Sequence, residues 1–404
     1  MRPSSIVPLL RAAAGAALAP LLLLLAGCAS PPPPPAAAPT ALFADDRFGP
    51  PTHPIDPGAV FAVDDAMRSY LRGRVVPEAR TKGTRQALLE DLYRKSGLKL
   101  EYESTLTRNA SEAFAARSGN CLSLVIMTAA LARELGLGFT LNTVIGETLW
   151  SRSGDMHFLN GHVNVSLGRR MADPVWRSDE QAQWTVDFLP APARAHEHLQ
   201  PVSEQTVIAM YMNNRAAELL ADEQVADAYW HARQALVSAP DFLPAYNTLG
   251  VVYLRHGDAA MAETALRLAV ARDPDNLHVQ VNLAQALRAT GQFAEAAALM
   301  ARVDRIEPNP PFHFFYLGQR AMQQQDWATA REMFRREIAR SPDYHEFHYW
   351  LAVADVHLGR MDEAEKEIAI ALEDSTRKED HALYAAKRDR NKALEARPVP
   401  APAL

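Results

Sequence analysis

Ser118-Gly119-Asn120-Cys121-Leu122-Ser123-Leu124-Val125-Ile126-Met127, running on to Leu135-Gly136, is the stretch whose reading decides the fold. Ser118 and Asn120 are candidate N-caps, Gly119 lets the backbone turn sharply, and Gly136 is a stop signal. Cys121 therefore falls in the first turn of a helix, where unpaired N–H groups and the positive end of the dipole favour negative charge on sulfur. Leu122, Val125, Ile126, Ala129, Ala132 and Leu135 mark one apolar face, and Leu124, Met127 and Leu131 another. Only Arg133 and Glu134 carry charge, so the helix is expected to be buried nearly all round. A reactive group on such a helix is held rigidly, as catalysis requires.

The 404 residues, 48% of them apolar, allow two domains plus tails with real cores. A net charge of −6 gives no basic footprint, which argues against nucleic acid as a partner. Two cysteines are present, with different surroundings. Arg2 precedes an apolar run that ends at Leu25-Ala26-Gly27-Cys28, a charged start, a hydrophobic middle and a small-residue cleavage site. Pro20 interrupts the run and polyproline follows it, against a membrane-spanning helix. The segment resembles a bacterial lipoprotein signal. That resemblance implies removal of residues 1–27, lipid on Cys28, and anchoring in the cell envelope on the periplasmic side. Ala29 resembles the sorting residue of outer-membrane lipoproteins. Cys121 is then the one free thiol left, without a partner for an intramolecular disulfide.

Residues 28–58, rich in Pro and Ala with five prolines at Pro31 to Pro35, read as an extended spacer without a fold, order beginning near Val60. Residues 59–200 read as an α+β domain. Helical patterning covers Ala66 to Leu71, Arg85 to Tyr93 and Asn109 to Arg117, with an extended Lys99-Leu100-Glu101-Tyr102 between them. Beyond Gly138 the period changes to two in Phe139 to Ile145, His162 to Leu167 and Trp184 to Leu189. Val163, Val165 and Leu167 point one way and His162 the other; Trp184, Val186 and Phe188 share a face opposite Asp187. If those two strands are antiparallel neighbours over one core, His162 and Asp187 emerge on the same side.

From about Ala209 the organisation changes. Ala228, Ala262, Ala296, Ala330 and Ala364 recur every 34 residues, and Pro240, Pro274, Pro308 and Pro342 share that period. This spacing is the signature of tetratricopeptide repeats, pairs of antiparallel helices stacked into a solenoid. Five units occupy residues 205–374, with Ala216, Gly250, Ala284, Gly318 and Ala352 small where helices cross closely. Residues 375–404 supply a charged capping helix and a disordered tail. The inner helices are expected to line a partner groove with Asn213, Asn247, Arg255, Gln285, Arg288, Phe315, Gln319 and Tyr349. Protein or peptide binding is the default function of that surface, and a mere spacer the alternative.

Gly119-Asn120-Cys121, the helix end Ala129 to Leu137, Gly161-His162-Val163-Asn164-Val165 and Val186-Asp187-Phe188 together resemble the transglutaminase-like superfamily of papain-fold cysteine enzymes. The match spans roughly Val60 to Gln200 and looks like bacterial lipoproteins that join this domain to tetratricopeptide repeats. The resemblance implies Cys121 as nucleophile, His162 as base and later acid, and Asp187 as the group that orients the imidazole. Asp173, before Pro174, is the alternative orienter, less favoured because it lies in a loop. Asn164 departs from the family, many members carrying an aromatic two residues after the histidine.

The expected activity is hydrolysis or acyl transfer at amide bonds of a peptide or protein. The rival is a catalytically silent scaffold that binds envelope proteins. No cofactor motif is present. Asp155, His157 and His162 do not match a standard metal site, and His345-Glu346-Phe347-His348, one residue short of zinc-protease spacing, reads as repeat surface.

Overall fold

The computed structural model describes residues 37–93, 97–104, 106–145, 149–153, 156–168, 183–188, 198–375 and 377–395. Three helices open the first region: α1 (Asp65–Tyr70), α2 (Val76–Lys82) and α3 (Thr84–Tyr93). Strand β1 (Glu101–Tyr102) pairs in parallel with β2 (Ser118–Gly119), and α4 (Ala110–Ala116) lies between them in sequence. The chain then forms α5 (Cys121–Glu134), β3 (Phe139–Ile145), β4 (Leu149–Ser153), β5 (Met156–Asn160), β6 (Val163–Leu167), β7 (Trp184–Val186) and β8 (His198–Val202). An antiparallel sheet runs β7-β6-β3-β8, while β4 and β5 make a separate hairpin.

Helix α5 is the centre of this region. Every residue from Leu122 to Ala132 is buried, because α4, β2, β6 and β3 all pack against the helix. A helix apolar on all sides has no stable place except inside. On β6, Val163, Val165 and Leu167 go to the core, and the period of two sends His162, Asn164 and Ser166 to the opposite face. That face is polar yet buried: Asn142 Nδ2 donates to Asn164 Oδ1 at 3.0 Å and to Ser166 Oγ at 3.1 Å. Strand β8 escapes a periodicity search. Among the described residues it is an edge strand, paired with β3 alone, and tolerates Pro201 and mostly exposed positions for that reason.

For residues 37–58 the expectation of a spacer without a fold is corrected; residues 28–36 lie outside the described residues. Short 3₁₀ turns form at Thr40–Leu42, Asp45–Arg47 and Pro57–Ala59, and Leu42, Ala44 and Phe48 are buried. Phe48 stacks on Tyr229 with ring centroids 3.9 Å apart. Ala44 N donates to Tyr229 Oη at 2.8 Å, Tyr253 Oη donates to the Leu42 carbonyl at 2.6 Å, and Trp230 Nε1 to the Gly49 carbonyl at 2.7 Å. Proline content indicates stiffness, which does not prevent docking once a few apolar side chains find a complementary surface.

Ten helices follow in pairs: α6 (Glu204–Ala221) with α7 (Val225–Ser238), α8 (Leu243–His256) with α9 (Ala259–Arg272), α10 (Leu277–Ala289) with α11 (Phe293–Ile306), α12 (His313–Gln323) with α13 (Trp327–Ile338), and α14 (His345–His357) with α15 (Met361–Glu373). Pro240, Pro274, Pro308 and Pro342 each follow the second helix of a pair, since proline cannot continue the hydrogen-bond ladder. The small residues at the crossings are required by space. A Cβ on Gly250 would lie 2.5 Å from Leu266 Cγ, and one on Gly318 would lie 2.5 Å from Phe334 Cε1. Helix α16 (Lys378–Glu395) packs on α15 and buries Tyr384.

One apolar cluster runs from Leu42 through α5 and the sheet to Ala296 on α11. The sheet region and the first three helix pairs thus share a continuous core, which fixes their mutual placement. Among the described residues no helix is long and apolar enough to cross a membrane.

Candidate active site

Cys121 is the first residue of α5, and Asn120 caps it, its Oδ1 accepting from Ser123 N at 2.9 Å and from Ser123 Oγ at 2.7 Å. The reversal into the helix is made at Arg117, which takes the left-handed conformation at φ 54°. Gly119 has a different role from the expected sharp turn: a Cβ there would lie 2.6 Å from Ser123 Cβ, so glycine lets the capping turn close. Asn120 Nδ2 donates to Thr107 Oγ1 at 2.9 Å, and Thr107 N donates to Glu218 Oε1 of α6 at 2.7 Å. The first helix pair therefore braces the cap beneath the sulfur. Burial pushes the Glu218 carboxyl above its ordinary range, against the pull of Arg215 and Thr107.

Antiparallel pairing of β6 with β7 brings His162 and Asp187 together as the alternation requires. His162 Nε2 lies 2.8 Å from Asp187 Oδ2, with the two side chains 6% and 4% exposed. Burial pulls the imidazole down, but the Asp187 hydrogen bond, the Cys121 side chain and their charges outweigh it, and the ring is pushed up from 6.5 to about 9. The Cys121 sulfur is close enough to act on the ring yet outside ordinary hydrogen-bond geometry, so Nδ1 is buried without a bond. The thiol itself is half-buried.

One cavity of about 2980 Å³ holds Cys121, His162, Asp187 and Tyr102, and continues along the inner helices of the pairs. Sequence reading missed Tyr102 as a site residue. Its strand partner is Gly119, two positions before the cysteine, and burial followed by the charge on Cys121 raises its hydroxyl well above the ordinary value, so it stays protonated. Thr107 and Glu218 were also missed, because no local pattern connects them to Cys121.

Of the expected groove residues, Asn213, Asn247, Arg255, Gln285 and Tyr349 line the cavity, while Arg288, Gln319 and Phe315 do not. Phe315 is fully buried in an aromatic cluster with Phe312, Phe334 and Phe347. Pro310-Pro311 delay the start of α12, Phe312 enters at φ 65°, and Tyr316, Leu317 and Arg320 face the cavity instead. His348 is likewise not on the surface: it is 5% exposed, with Nδ1 2.6 Å from Glu367 Oε2 and Nε2 2.6 Å from the Pro342 carbonyl. Asn164 lies in the polar layer with Asn142 and does not reach the cavity. Cys28, Asp155 and Asp173 lie outside the described residues, and of His157 only the backbone is described.

Tetratricopeptide repeat family models match residues 253–313 and 316–378. A TPR repeat-containing protein of Pseudomonas aeruginosa is 27% identical over 202 residues, 45% of this chain and 34% of that protein. The Hsp70-Hsp90 organizing protein of Triticum aestivum is 35% identical over 77 residues, 19% of this chain and 13% of that protein. The chain thus spans only 34% and 13% of the length of these curated relatives. A thermophilic TPR protein from Thermus thermophilus is 22% identical, with a TM-score of 0.28 over 44% of this chain and 97% of that one. The C-terminal region of the chain is an array of tetratricopeptide repeats.

Proposed function

We propose that the chain is a transglutaminase-like cysteine enzyme, lipid-anchored through Cys28 at the periplasmic face of the outer membrane, that acts on amide bonds of a peptide or protein held by its repeats. The observation that carries this reading is the buried His162–Asp187 hydrogen bond at 2.8 Å, with the other edge of the ring toward a half-buried cysteine at a helix start. Lipid anchoring rests on Leu25-Ala26-Gly27-Cys28 alone. Tetratricopeptide repeats bind protein or peptide partners, and here they border the same cavity as the sulfur.

An imidazolium beside the sulfur stabilises negative charge there. The thiolate attacks the amide carbonyl, the C–S bond forms, and the carbonyl electrons move to oxygen. The Cys121 backbone N–H in the first helical turn meets that oxyanion, and the protonated Tyr102 hydroxyl is the second donor. Collapse breaks the C–N bond as His162 gives its proton to the leaving amine, a contribution of roughly 10²–10⁴ in rate. Water, deprotonated by His162, then attacks the thioester carbonyl and the C–S bond breaks, giving the carboxylic acid and returning Cys121 as a thiolate beside the protonated ring; an amine in place of water completes transfer. Asp187 holds the ring in one orientation throughout.

Iodoacetamide labelling of the full chain at neutral pH tests the activated thiol, and intact mass after exposure to an activated ester tests the acyl-enzyme. Labelling of Cys121 far faster than of glutathione, with an acyl adduct lost in Cys121→Ala and His162→Gln, supports the enzyme. The bondless Nδ1 of His162 favours a second reading, a catalytically silent binding protein. Slow labelling that needs denaturant, with no adduct, would establish that reading instead.

A further inference from the structure

The cavity that begins at Cys121 is much more acidic than the chain around it. Twelve carboxylates line it against four arginines, and no lysine is present. The cavity therefore carries a formal charge near −8, while the whole chain carries −6. This charge is largely uncompensated from within. Asp222, Asp241, Asp304, Glu307, Asp343 and Glu373 form no ion pair among the described residues. Near the far end, Asp374 is pushed above the ordinary carboxylate range by burial and then by repulsion from Asp343 and Glu373, which His348 offsets only in part. Like charges gathered in a concave wall focus a field and attract counter-charge into it.

A second set of groups faces the same space. Asn213 and Asn247 stand 34 residues apart on successive inner helices, and Asn282 Nδ2 donates to Asn247 Oδ1 at 2.8 Å. Asn213 lines the cavity as well, with its Oδ1 buried and without a hydrogen-bond partner. Amide side chains repeated along a concave wall suit the backbone of an extended chain, which offers N–H and C=O groups at regular intervals. At the sheet end the cavity also holds His162, Asp187 and the sulfur, so an occupant lying along the repeats reaches the reacting atom.

We infer that the groove takes an extended, lysine- and arginine-rich polypeptide segment, which runs along the inner helices and presents a backbone or side-chain amide to Cys121. The inference names the substrate class for the reading given under Proposed function and rests on it for the role of Cys121, but binding itself does not need the chemistry. Polypeptide is preferred to a small polyamine because of the amide wall and the length of the cavity over five helix pairs.

The test uses the full chain carrying Cys121→Ala, so that binding is read without turnover and stays separate from the labelling experiment. Fluorescence anisotropy is followed with a fluorescein-labelled peptide of repeated Lys-Gln-Ala triplets and with its Glu-Gln-Ala counterpart. The cationic peptide is expected to bind and to weaken steeply with added salt, and the anionic one to give no saturable signal. Neutralising Asp304→Asn, Glu307→Gln and Asp343→Asn together is expected to weaken binding about tenfold, three partly screened charges adding their small shares. Neutralising Asp46→Asn, Asp65→Asn and Asp362→Asn, which lie outside the cavity, changes net charge equally and is expected to leave affinity unchanged. Helical circular dichroism confirms that each variant is folded. The inference falls if the anionic peptide binds as well, if the groove variant binds normally, or if the outer variant loses as much. Cationic binding without thiol reactivity would keep the groove assignment and remove only the enzyme.

Discussion

Replacing Asp187 with Asn tests the electrostatics of the site most directly. The wild-type imidazole lies at about 9 against an ordinary 6.5, because Asp187 and Cys121 overcome the downward pull of burial. That displacement corresponds to about 3 kcal/mol of preference for the protonated ring. Asp187→Asn keeps the size of the side chain but removes its charge. Burial is then opposed mainly by Cys121, and the His162 midpoint falls back toward 6.5. The stability consequence has a definite sign. Since the folded value lies above the unfolded one, the imidazolium contributes fully below pH 6.5, and its contribution is lost as pH rises through 9. The variant is therefore destabilised by about 3 kcal/mol at pH 6 and by little of this kind at pH 10. Nitrogen-15 histidine spectra of the full chain, with His162→Gln to assign the resonance, read the midpoint, and urea unfolding at the two pH values reads the stability. A wild-type ring titrating at 6.5, or a variant whose midpoint does not move, would refute the reasoning.

Further outcomes follow from single contacts. Asn120→Ala removes the cap on Ser123 N and is expected to cost about 1 kcal/mol and to slow alkylation of Cys121, whereas Asn120→Asp keeps the cap and most of the stability; equal melting temperatures for all three chains would contradict this. Gly318→Ala places a Cβ against Phe334 and is expected to destabilise the repeats by about 1–3 kcal/mol, seen as a lower helical melting temperature; an unchanged melt would mean the helices can separate freely. Phe48→Ala removes the ring stacked on Tyr229 and is expected to free residues 38–58 for limited proteolysis while the repeats stay helical. Unaltered cleavage there would show that the backbone hydrogen bonds to Tyr229, Tyr253 and Trp230 hold the segment without it.

What the sequence alone determined was whatever repeats or alternates over short range. The 34-residue period specified five helix pairs, their proline stops and the small residues at each crossing, because those constraints recur in every unit. The cap at Asn120, the buried helix behind it and the faces of β6 were readable for the same reason, since cap and period act within a few residues. Even the meeting of His162 with Asp187 needed only that two adjacent strands be antiparallel. The tertiary structure decided what depends on distant surfaces. Proline-rich composition concealed the docking of residues 38–58, because Leu42 and Phe48 bury only where Tyr229 and Tyr253 offer a matching face. Phe315 left the groove because three other aromatic rings gave it a better place than water. The brace from Glu218 through Thr107 to Asn120 joins residues more than a hundred positions apart, and only the shared core brings them within hydrogen-bond reach.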